Sequence, residues 1–328
     1  MKLTNLEFLY KLNSRLAQKF FIDLAGDTKN TIFISSSPRS GSTWLAEIIE
    51  YITKSRFIFE PFHTGQVNFG LPNTRPLYLR PQSEYPQYKE AIEKIVNGKI
   101  KSQWTDTLNK QILPKKRLIK AIHSNLMLKW LMVNYPDIKF IYLLRNPFSV
   151  SLSIARMGGD IHLEDMLSQE TLVKDFLADK IDIINSANTA FEKAMVRWTI
   201  EQFVPLSLFE NDDNILIIFY ENLCLNTEKE ISKISKFLQE DIDNTDVSSL
   251  KKMIKKPSAT AFLAINKSLK TEVNKAEYDL KSKNKLTEWQ NSVEQSQIDY
   301  GLKLLQAFNL DKLYNDDLIP NTALINKW

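Results

Sequence analysis

The chain has 328 residues, of which 43% are hydrophobic and 25% are charged, a composition typical of a globular domain rather than a disordered chain. Its formal net charge of +4 at pH 7 suits a polyanionic ligand but is too small to indicate a nucleic-acid-binding protein. The single cysteine, Cys224, excludes an internal disulfide framework and is typical of a reducing compartment. No break in composition marks a boundary, so we expect one domain over residues 1–328.

The chain begins with apolar residues at helical intervals. Six charged side chains interrupt this pattern within residues 1–26. The segment therefore lacks the roughly 20 consecutive apolar residues of a membrane span and the apolar core of a signal peptide. We expect an amphipathic N-terminal helix that packs on the surface of the domain.

The next segment is an apolar strand, predicted at residues 31–35, followed by a short polar loop and a helix. Backbone N–H groups that converge at a helix N-terminus, together with the helix dipole, form a binding site for phosphate. A glycine in such a loop allows the main chain to approach a ligand closely, and the neighbouring side chains add hydroxyl and guanidinium donors. The candidate phosphate ligands are Arg39, Ser40, Gly41, Ser42 and Thr43.

This loop lacks one group of the nucleotide P-loop pattern G-x-x-x-x-G-K-[ST]. Ser42 occupies the position of the lysine, and Ser36 occupies the position of the first glycine. Because that lysine binds the β- and γ-phosphates, we expect a phosphate ligand other than a nucleoside triphosphate. Arg39 supplies a cation three positions before Ser42.

The segment Pro38-Arg39-Ser40-Gly41-Ser42-Thr43-Trp44-Leu45 resembles the 5′-phosphosulfate loop of sulfotransferases that use 3′-phosphoadenylyl sulfate (PAPS). The desulfated form of PAPS is adenosine 3′,5′-bisphosphate (PAP). An arginine in this loop is more typical of carbohydrate sulfotransferases than of the cytosolic phenol and steroid enzymes, which carry a lysine. The resemblance implies PAPS as co-substrate and a catalytic role for Arg39 in stabilising charge. Trp44 either flanks the adenine or is a core aromatic residue.

A second motif follows the strand predicted at residues 138–144. Arg145 stands at the end of this strand, and Asn146 and Pro147 are suited to the N-cap and the first residue of the next helix. Ser153 comes eight positions after Arg145, about two helical turns on, so it can face the same side. Sulfotransferases bind the 3′-phosphate of PAPS with such a pair, and the resemblance assigns this role to Arg145 and Ser153. The alternative is a salt-bridged arginine and a solvent-facing serine.

Two residues compete for the role of general base. Glu60 opens the segment Glu60-Pro61, which is similar to one in carbohydrate sulfotransferases whose glutamate is the proposed base. His123 lies twenty-two residues before Arg145, where the cytosolic sulfotransferases carry their catalytic histidine, and an imidazole titrates near neutrality without tuning. Arg39 and Glu60-Pro61 agree on the carbohydrate branch, which slightly favours Glu60. The structural alternatives are a capping or salt-bridged carboxylate and a hydrogen-bonded core histidine.

Two further segments complete the predicted site. Residues 61–116 begin with a stretch rich in proline and aromatic residues, which predicts an insertion of packed loops on the acceptor side; the alternative is a purely structural excursion over the sheet. Lys256 and Ser258 fall where the family's late loop closes over the 3′-phosphate, and the alternative for them is a solvated basic surface. No cluster of metal-ligating residues stands out, so we expect no metal.

Strand-like and helical patterns alternate along the chain. This order implies right-handed β-α-β units and an α/β, P-loop-like fold, with a mostly parallel sheet and helices on both faces. Ligands in such sheets bind at the carboxyl ends of the strands, where both phosphate motifs begin. Pro205 should end or kink the helix at residues 190–209. Strands are predicted at residues 31–35, 56–59, 118–121, 138–144 and 214–220, and helices at residues 43–53, 125–135, 148–157, 190–209, 227–238 and 294–308.

These features predict a PAPS-dependent sulfotransferase that transfers a sulfuryl group to a hydroxyl or an amine of a polar acceptor. The loop arginine and Glu60 favour a carbohydrate. A phenol, an alkaloid or another small natural product, sulfated with a histidine base, is the alternative, and the acidic residues Asp160, Glu164 and Asp165 would suit a cationic acceptor.

The remaining alternatives belong to other functional classes. A nucleotide-binding regulatory protein would not need Glu60 or His123, and the missing loop lysine argues against a P-loop kinase. The predicted location is the cytoplasm, because the Golgi carbohydrate sulfotransferases carry a membrane anchor that this sequence lacks. The sequence does not indicate an oligomeric state.

Overall fold

The computed structural model of the chain describes residues 16–73, 75–158, 161–210, 212–241, 250, 286–314 and 320–321. A five-stranded sheet lies at its centre. The strands are β1 (Thr31–Ser36), β2 (Arg56–Phe59), β3 (Arg117–Ala121), β4 (Lys139–Leu144) and β5 (Ile215–Phe219).

All neighbouring strands of this sheet run parallel, in the order β2-β3-β1-β4-β5. The predicted parallel α/β sheet is confirmed, and each strand lies within one residue of its predicted ends. β1 is central, and its Ser35 is paired with Ala121 of β3 and with Tyr142 of β4. The polar loop that follows β1 therefore lies at the middle of the carboxyl edge of the sheet.

Apolar side chains cover both faces of the sheet. Because successive strand residues point to opposite faces, Phe33 packs against Phe140, with ring centroids 5.6 Å apart, on one face. Ile32 and Ile34 pack into a separate apolar cluster on the other face. Burial on both faces is expected of parallel strands that helices cover, and it accounts for the uninterrupted apolar runs in the sequence.

Helices surround the sheet, and the six helices predicted between residues 43 and 308 are present with their ends displaced by three residues or fewer. A short 3₁₀ turn (Asn125–Met127) precedes the third of them. The helices are α1 (Ser42–Thr53), α2 (Pro86–Val96), α3 (Leu128–Asn134), α4 (Pro147–Met157), α5 (Leu163–Leu167), α6 (Glu170–Leu172), α7 (Ile181–Asn185), α8 (Ala190–Leu208), α9 (Tyr220–Leu225), α10 (Thr227–Leu238) and α11 (Gln295–Ala307).

The long helix α8 contains Pro205 and does not end there, although termination was one of its two predicted effects. Proline lacks the N–H that would bond to the carbonyl oxygen of Glu201 one turn earlier. That oxygen instead accepts a hydrogen bond from Oη of Tyr142 at 2.9 Å. The replacement bond ties α8 to β4 and allows the helix to continue to Leu208.

Some helices were not predicted from the sequence. Helices α5 to α7 have five residues or fewer, too short to show a helical period. Helix α2 lies inside the predicted loop insertion at residues 61–116, where the prolines and aromatic residues before it concealed it. The sequence does carry signals of this helix: Pro86 in its first turn and apolar residues at helical spacing that are buried, Ala91, Ile92 and Ile95. The one-domain organisation stays a prediction.

The helix predicted for residues 1–26 is wrong in its last part, and residues 1–15 lie outside the described residues. Residues 16–19 are helical, whereas residues 20–26 are not. The N–H of Ile22 donates to the carbonyl of Ile112 at 2.9 Å. Asp23 accepts hydrogen bonds from Arg56 and Arg117 at 3.2 and 2.9 Å. These contacts with buried arginines that are distant in sequence fix residues 20–26 in a non-helical conformation. Among the described residues, no helix is long and apolar enough to span a membrane.

Candidate active site

The loop after β1 carries the predicted phosphate ligands to the carboxyl edge of the sheet. Gly41 is the N-cap of α1 and has φ +87°, in the left-handed region that glycine adopts most easily. A Cβ atom at this position would lie 2.5 Å from Cε2 of Tyr220. Ser42 and Thr43 form the first turn of α1, where N–H groups have no partner within the helix. The backbone is therefore shaped for close approach of an anion.

Arg39 joins the two phosphate motifs. Its Nε donates to Oγ of Ser153 at 2.9 Å, and Nη1 of Arg145 donates to its carbonyl oxygen at 2.8 Å. Burial lowers the pKa of Arg39, and the positive charge of Arg145 lowers it further, but a guanidinium stays protonated at neutral pH. The structure thus brings Arg39, Arg145 and Ser153 together, with Ser153 hydrogen-bonded to Arg39, and their binding of phosphate stays a prediction. Adjacent guanidinium groups suit a multiply charged anion.

Tyr220 contacts both motifs, and the sequence patterns did not predict this contact. Its ring lies against Gly41, 4.4 Å from the guanidinium carbon of Arg145 and 5.9 Å from the ring of Trp44. An arginine over an aromatic face gains a cation–π attraction. Tyr220 follows the carboxyl end of β5, beside that of β4, and this position is the signal that could have found it. Trp44 is half-buried next to the loop, and its role toward adenine stays a prediction.

Buried groups form hydrogen bonds with the backbone at Arg145 and Asn146. Nε1 of Trp198, which is 1% exposed, donates to the carbonyl oxygen of Arg145 at 3.1 Å. Asn146 is the N-cap of α4, as predicted, and its Oδ1 accepts from the N–H of Ser149 at 3.0 Å. The N–H of Asn146 donates to Glu221 at 2.9 Å. Burial raises the pKa of Glu221, and this N–H lowers it. The backbone at Arg145 is therefore fixed before any ligand binds.

Glu60 stands at the end of β2 and is paired with Lys120 of β3. Its N–H donates to the carbonyl of Lys120 at 2.8 Å, and its Oε1 accepts from Nζ of Lys120. Burial lowers the pKa of Lys120, which is 3% exposed, and the Glu60 carboxylate raises it. Glu60 is thus a salt-bridged carboxylate. Sequence reasoning missed Lys120, although a lysine within an apolar strand was a usable signal.

The backbone of Glu60 adds a second observation. Its φ is +43°, and that of Arg39 is +67°, in a region that costs a non-glycine residue about 1–3 kcal/mol. Such conformations persist where the surrounding structure enforces them, and they occur often at functional sites. Two of the three predicted catalytic residues therefore share this feature.

His123 lies in the turn after β3 and is 5% exposed. Its buried Nδ1 has no hydrogen-bond partner in the described part of the chain, so it is not a hydrogen-bonded core histidine. Burial lowers the pKa of His123 well below its usual range, and the charge of Arg197 lowers it further, so the imidazole is neutral at pH 7. Its ring lies 5.6 Å from that of His63 and 6.0 Å from that of His162. All three histidines of the sequence therefore meet here.

His63 connects the two candidate bases. It is the third residue after Glu60, and its N–H donates to the carbonyl oxygen of Glu60 at 3.1 Å. The phosphate loop acts on the Glu60–Lys120 pair as well. The positive charge of Arg39 lowers the pKa of Lys120, although burial lowers it more. Lys256 and Ser258 lie outside the described residues. Among the residues that are described, no three His, Cys, Asp or Glu side chains form a group that could hold a metal ion.

Comparisons with known proteins agree with the predicted family. The model of the sulfotransferase domain family matches residues 29–307. The chain is similar to cytosolic sulfotransferase 15 of Arabidopsis thaliana, with 23% identity over 295 residues that cover 86% of this chain and 71% of the plant protein.

Two solved structures are also similar to this chain. One is a mouse sulfotransferase complexed with PAP, with 18% identity and a TM-score of 0.43, covering 95% of this chain and 92% of the mouse chain. The other is the sulfotransferase domain of the Synechococcus PCC 7002 olefin synthase, with 18% identity and a TM-score of 0.45, covering 89% of this chain and 98% of the domain.

The family match extends over most of the chain and includes both phosphate motifs and both candidate bases. It favours the predicted transferase over the kinase and the regulatory protein. The chain belongs to the sulfotransferase family, and the prediction of an enzyme that uses PAPS is confirmed at the level of the family.

Proposed function

We propose that this enzyme transfers the sulfuryl group of PAPS to a hydroxyl of a polar acceptor, with Glu60 as general base and Lys120 as its partner. The observation that carries the proposal is the buried Glu60–Lys120 pair at the carboxyl edge of the sheet. A buried ion pair often adds little net stability, because both charges lose their hydration. Its position beside the strained Arg39 loop therefore favours a chemical role.

The donor half of the proposal rests on the two phosphate motifs. PAPS supplies a sulfuryl group whose S–O bond to the 5′-phosphate breaks as a bond to the acceptor oxygen forms. Arg39 and the N–H groups at the start of α1 would stabilise negative charge on the departing phosphate. Arg145 and Ser153 would bind the 3′-phosphate. Gly41 leaves room in the loop for the ring of Tyr220, which contacts both motifs.

The acceptor half rests on the Glu60–Lys120 pair. Lys120 holds Oε1 of Glu60, which leaves Oε2 to accept the proton of the acceptor hydroxyl. Once Glu60 is protonated, its attraction for the ammonium weakens. Lys120 can then donate to the oxygens of the transferred group, where charge builds up. The pair would thus couple proton removal to charge stabilisation.

His123 is the second candidate for the base. Its neutral imidazole and unpartnered Nδ1 are ready to accept a proton. The same burial that keeps it neutral makes it a weak base, which favours a role in binding the acceptor. An amine acceptor would use the same groups. The cytoplasmic location, the choice between carbohydrate and small molecule, and the contacts of Lys256 and Ser258 stay predictions.

Nucleotide binding tests the donor half. Calorimetry should show that the protein binds PAP far more tightly than 5′-AMP or ATP. Arg145→Ala should weaken PAP binding by roughly tenfold to a hundredfold, because one charge-assisted contact is lost, and should leave 5′-AMP binding unchanged. The matched control is Arg80→Ala, which removes an arginine already paired with Asp175. Equal affinity for PAP and 5′-AMP, or tighter binding of ATP, would contradict the proposal.

A further inference from the structure

A cationic cluster adjoins Glu60, and the proposed chemistry gives a role only to its His123. It consists of Arg75, His63 and His123, and we call it the Arg75 cluster. Nη1 of Arg75 donates to Nδ1 of His63 at 3.4 Å, and the His63 ring lies 5.6 Å from the His123 ring. These groups come from the loop after β2 and the turn after β3. They lie on the predicted acceptor side of the site.

Arg75 lacks a counter-charge in the described part of the chain. Its Nε is buried and has no hydrogen-bond partner among the described residues. Arg80, five positions later, instead donates twice to the carboxylate of Asp175, at 2.6 and 2.7 Å. Arg75 is half-buried as a whole, and the burial of its Nε without an acceptor is costly. The buried arginines of the described residues, by contrast, have carboxylate partners: Arg56 with Asp106, Arg117 with Asp23, and Arg197 with Glu201.

The groups around Arg75 do not supply the missing negative charge. The carboxylate of Glu60, whose charge acts on His63, is already neutralised by Lys120. Burial lowers the pKa of His63; Glu60 raises it and Arg75 lowers it again. His123 is neutral and has an unpartnered, buried Nδ1. The cluster therefore has one positive charge and open hydrogen-bonding atoms, which an oxyanion complements.

We propose that the acceptor carries an oxyanion, such as the carboxylate of a hydroxy acid or a uronic acid, and that Arg75 binds this group. The inference rests on the proposed function, since it places the hydroxyl of the same acceptor at Glu60. His63 links Arg75 to Glu60. Its ring accepts a hydrogen bond from Arg75, and its backbone N–H donates to the carbonyl oxygen of Glu60.

The sequence also suggested the opposite, a cationic acceptor bound by acidic residues at positions 160–165. One of these residues, Asp165, is already paired. Oδ2 of Asp165 lies 3.0 Å from Nδ1 of His162, so this carboxylate already has a partner. His162 in turn contacts the ring of His123, next to the Arg75 cluster. The described charges at this end of the site therefore favour an anion over a cation.

Matched pairs of acceptors test the inference by turnover. One pair is 4-hydroxybenzoate and its methyl ester, and another is glucuronate and its methyl ester, each assayed with labelled PAPS. The wild type should show a kcat/KM about tenfold or more higher for the carboxylate of a pair. Arg75→Gln should abolish this preference and leave the KM for PAPS unchanged, whereas Arg75→Lys should retain part of it. Arg80→Gln is the control and should keep the full preference.

A binding measurement tests the same contact without turnover. Benzoate, titrated into the complex of the enzyme with PAP, should shift the ring NMR signals of His63, and neutral benzamide should not. The shift should be absent in Arg75→Gln. Equal responses to benzoate and benzamide, or a response that Arg75→Gln leaves intact, would overturn the inference.

Three outcomes distinguish a failure of this inference from a failure of the proposed function. A raised KM for PAPS in Arg75→Gln would assign Arg75 to the sulfuryl group of the donor and overturn the acceptor assignment. If PAP binds and PAPS is consumed but neither arm shows a preference for the anion, only the present inference fails. If PAP does not bind at all, the proposed function fails, whatever anion Arg75 binds.

Discussion

The two halves of the proposed site are built from different kinds of sequence. On the donor side, each motif is one contiguous stretch at a strand-to-helix junction, and the junctions after β1 and β4 lie on neighbouring strands. On the acceptor side, Glu60, Arg75 and His123 come from separate segments, and Lys120 lies inside a strand. Local sequence thus specifies the donor side, whereas the packing of distant segments specifies the acceptor side.

The halves also differ in how they hold charge. Arg39 and Arg145 lie side by side on exposed or half-buried backbone, ready for a polyanion. The proposed acceptor side buries an ion pair and the neutral imidazole of His123, with the half-buried His63 beside them. Substitutions should therefore act mainly on ligand affinity on the donor side, and on catalysis and pH dependence on the acceptor side.

The largest expected effect is that of Glu60→Gln. If Glu60 accepts the acceptor proton, this change should lower kcat by about 10²–10⁴ and leave PAP affinity unchanged. Steady-state kinetics with labelled PAPS and calorimetry with PAP would measure the two quantities.

His123→Gln is the matched comparison, and it should cost much less in kcat, mainly through acceptor KM. A larger loss in His123→Gln than in Glu60→Gln would reverse the assignment of the base. Thermal melting of both variants checks that each still folds.

An intermediate effect is expected for Gly41→Ala, which tests the donor side. An alanine here would have to keep the left-handed backbone conformation of Gly41, and its Cβ atom would displace the ring of Tyr220, which contacts both motifs. PAP affinity should fall by about tenfold or more, as calorimetry would show. Gly158→Ala is the control, since Gly158 has φ +64° but a Cβ atom there would meet no atom of the described residues within 4 Å. Similar PAP affinities in the two variants would refute the close contact with Tyr220.

The same contrast explains what could be predicted from the sequence. The strands were predicted to within one residue because they are unbroken apolar runs, and the two phosphate motifs could be recognised because each is contiguous, while their binding of phosphate stays a prediction. The contacts of Tyr220, Lys120 and Arg75 could not be predicted, because they depend on which segments meet in space. The N-terminal helix was overextended for the same reason, since Asp23 is bound by arginines from β2 and β3.

The smallest expected effect concerns pH and the acceptor side. The lowered pKa of His123 means that the unfolded chain binds a proton, below about pH 6.5, that the folded protein does not. Stability should therefore fall as the pH drops below that value, by up to about 1.4 kcal/mol per pH unit for one proton.

Urea unfolding at a series of pH values would measure this slope. His123→Gln should make it shallower, and His162→Gln, which removes an imidazole with a carboxylate partner, should change it less. The same slope in the wild type and in His123→Gln would show that the imidazole is not buried in its neutral form.

The fate of labelled sulfur tests the central claim most directly. The enzyme would be incubated with PAPS labelled in its sulfuryl group, or with ATP labelled in its γ-phosphate, together with the paired hydroxyl acceptors. We predict that labelled sulfur appears on the acceptor with an equal amount of PAP released, that Arg80→Gln retains this transfer, and that Glu60→Gln nearly abolishes it. Transfer of labelled phosphate from ATP, with no transfer of sulfur from PAPS, would contradict the account.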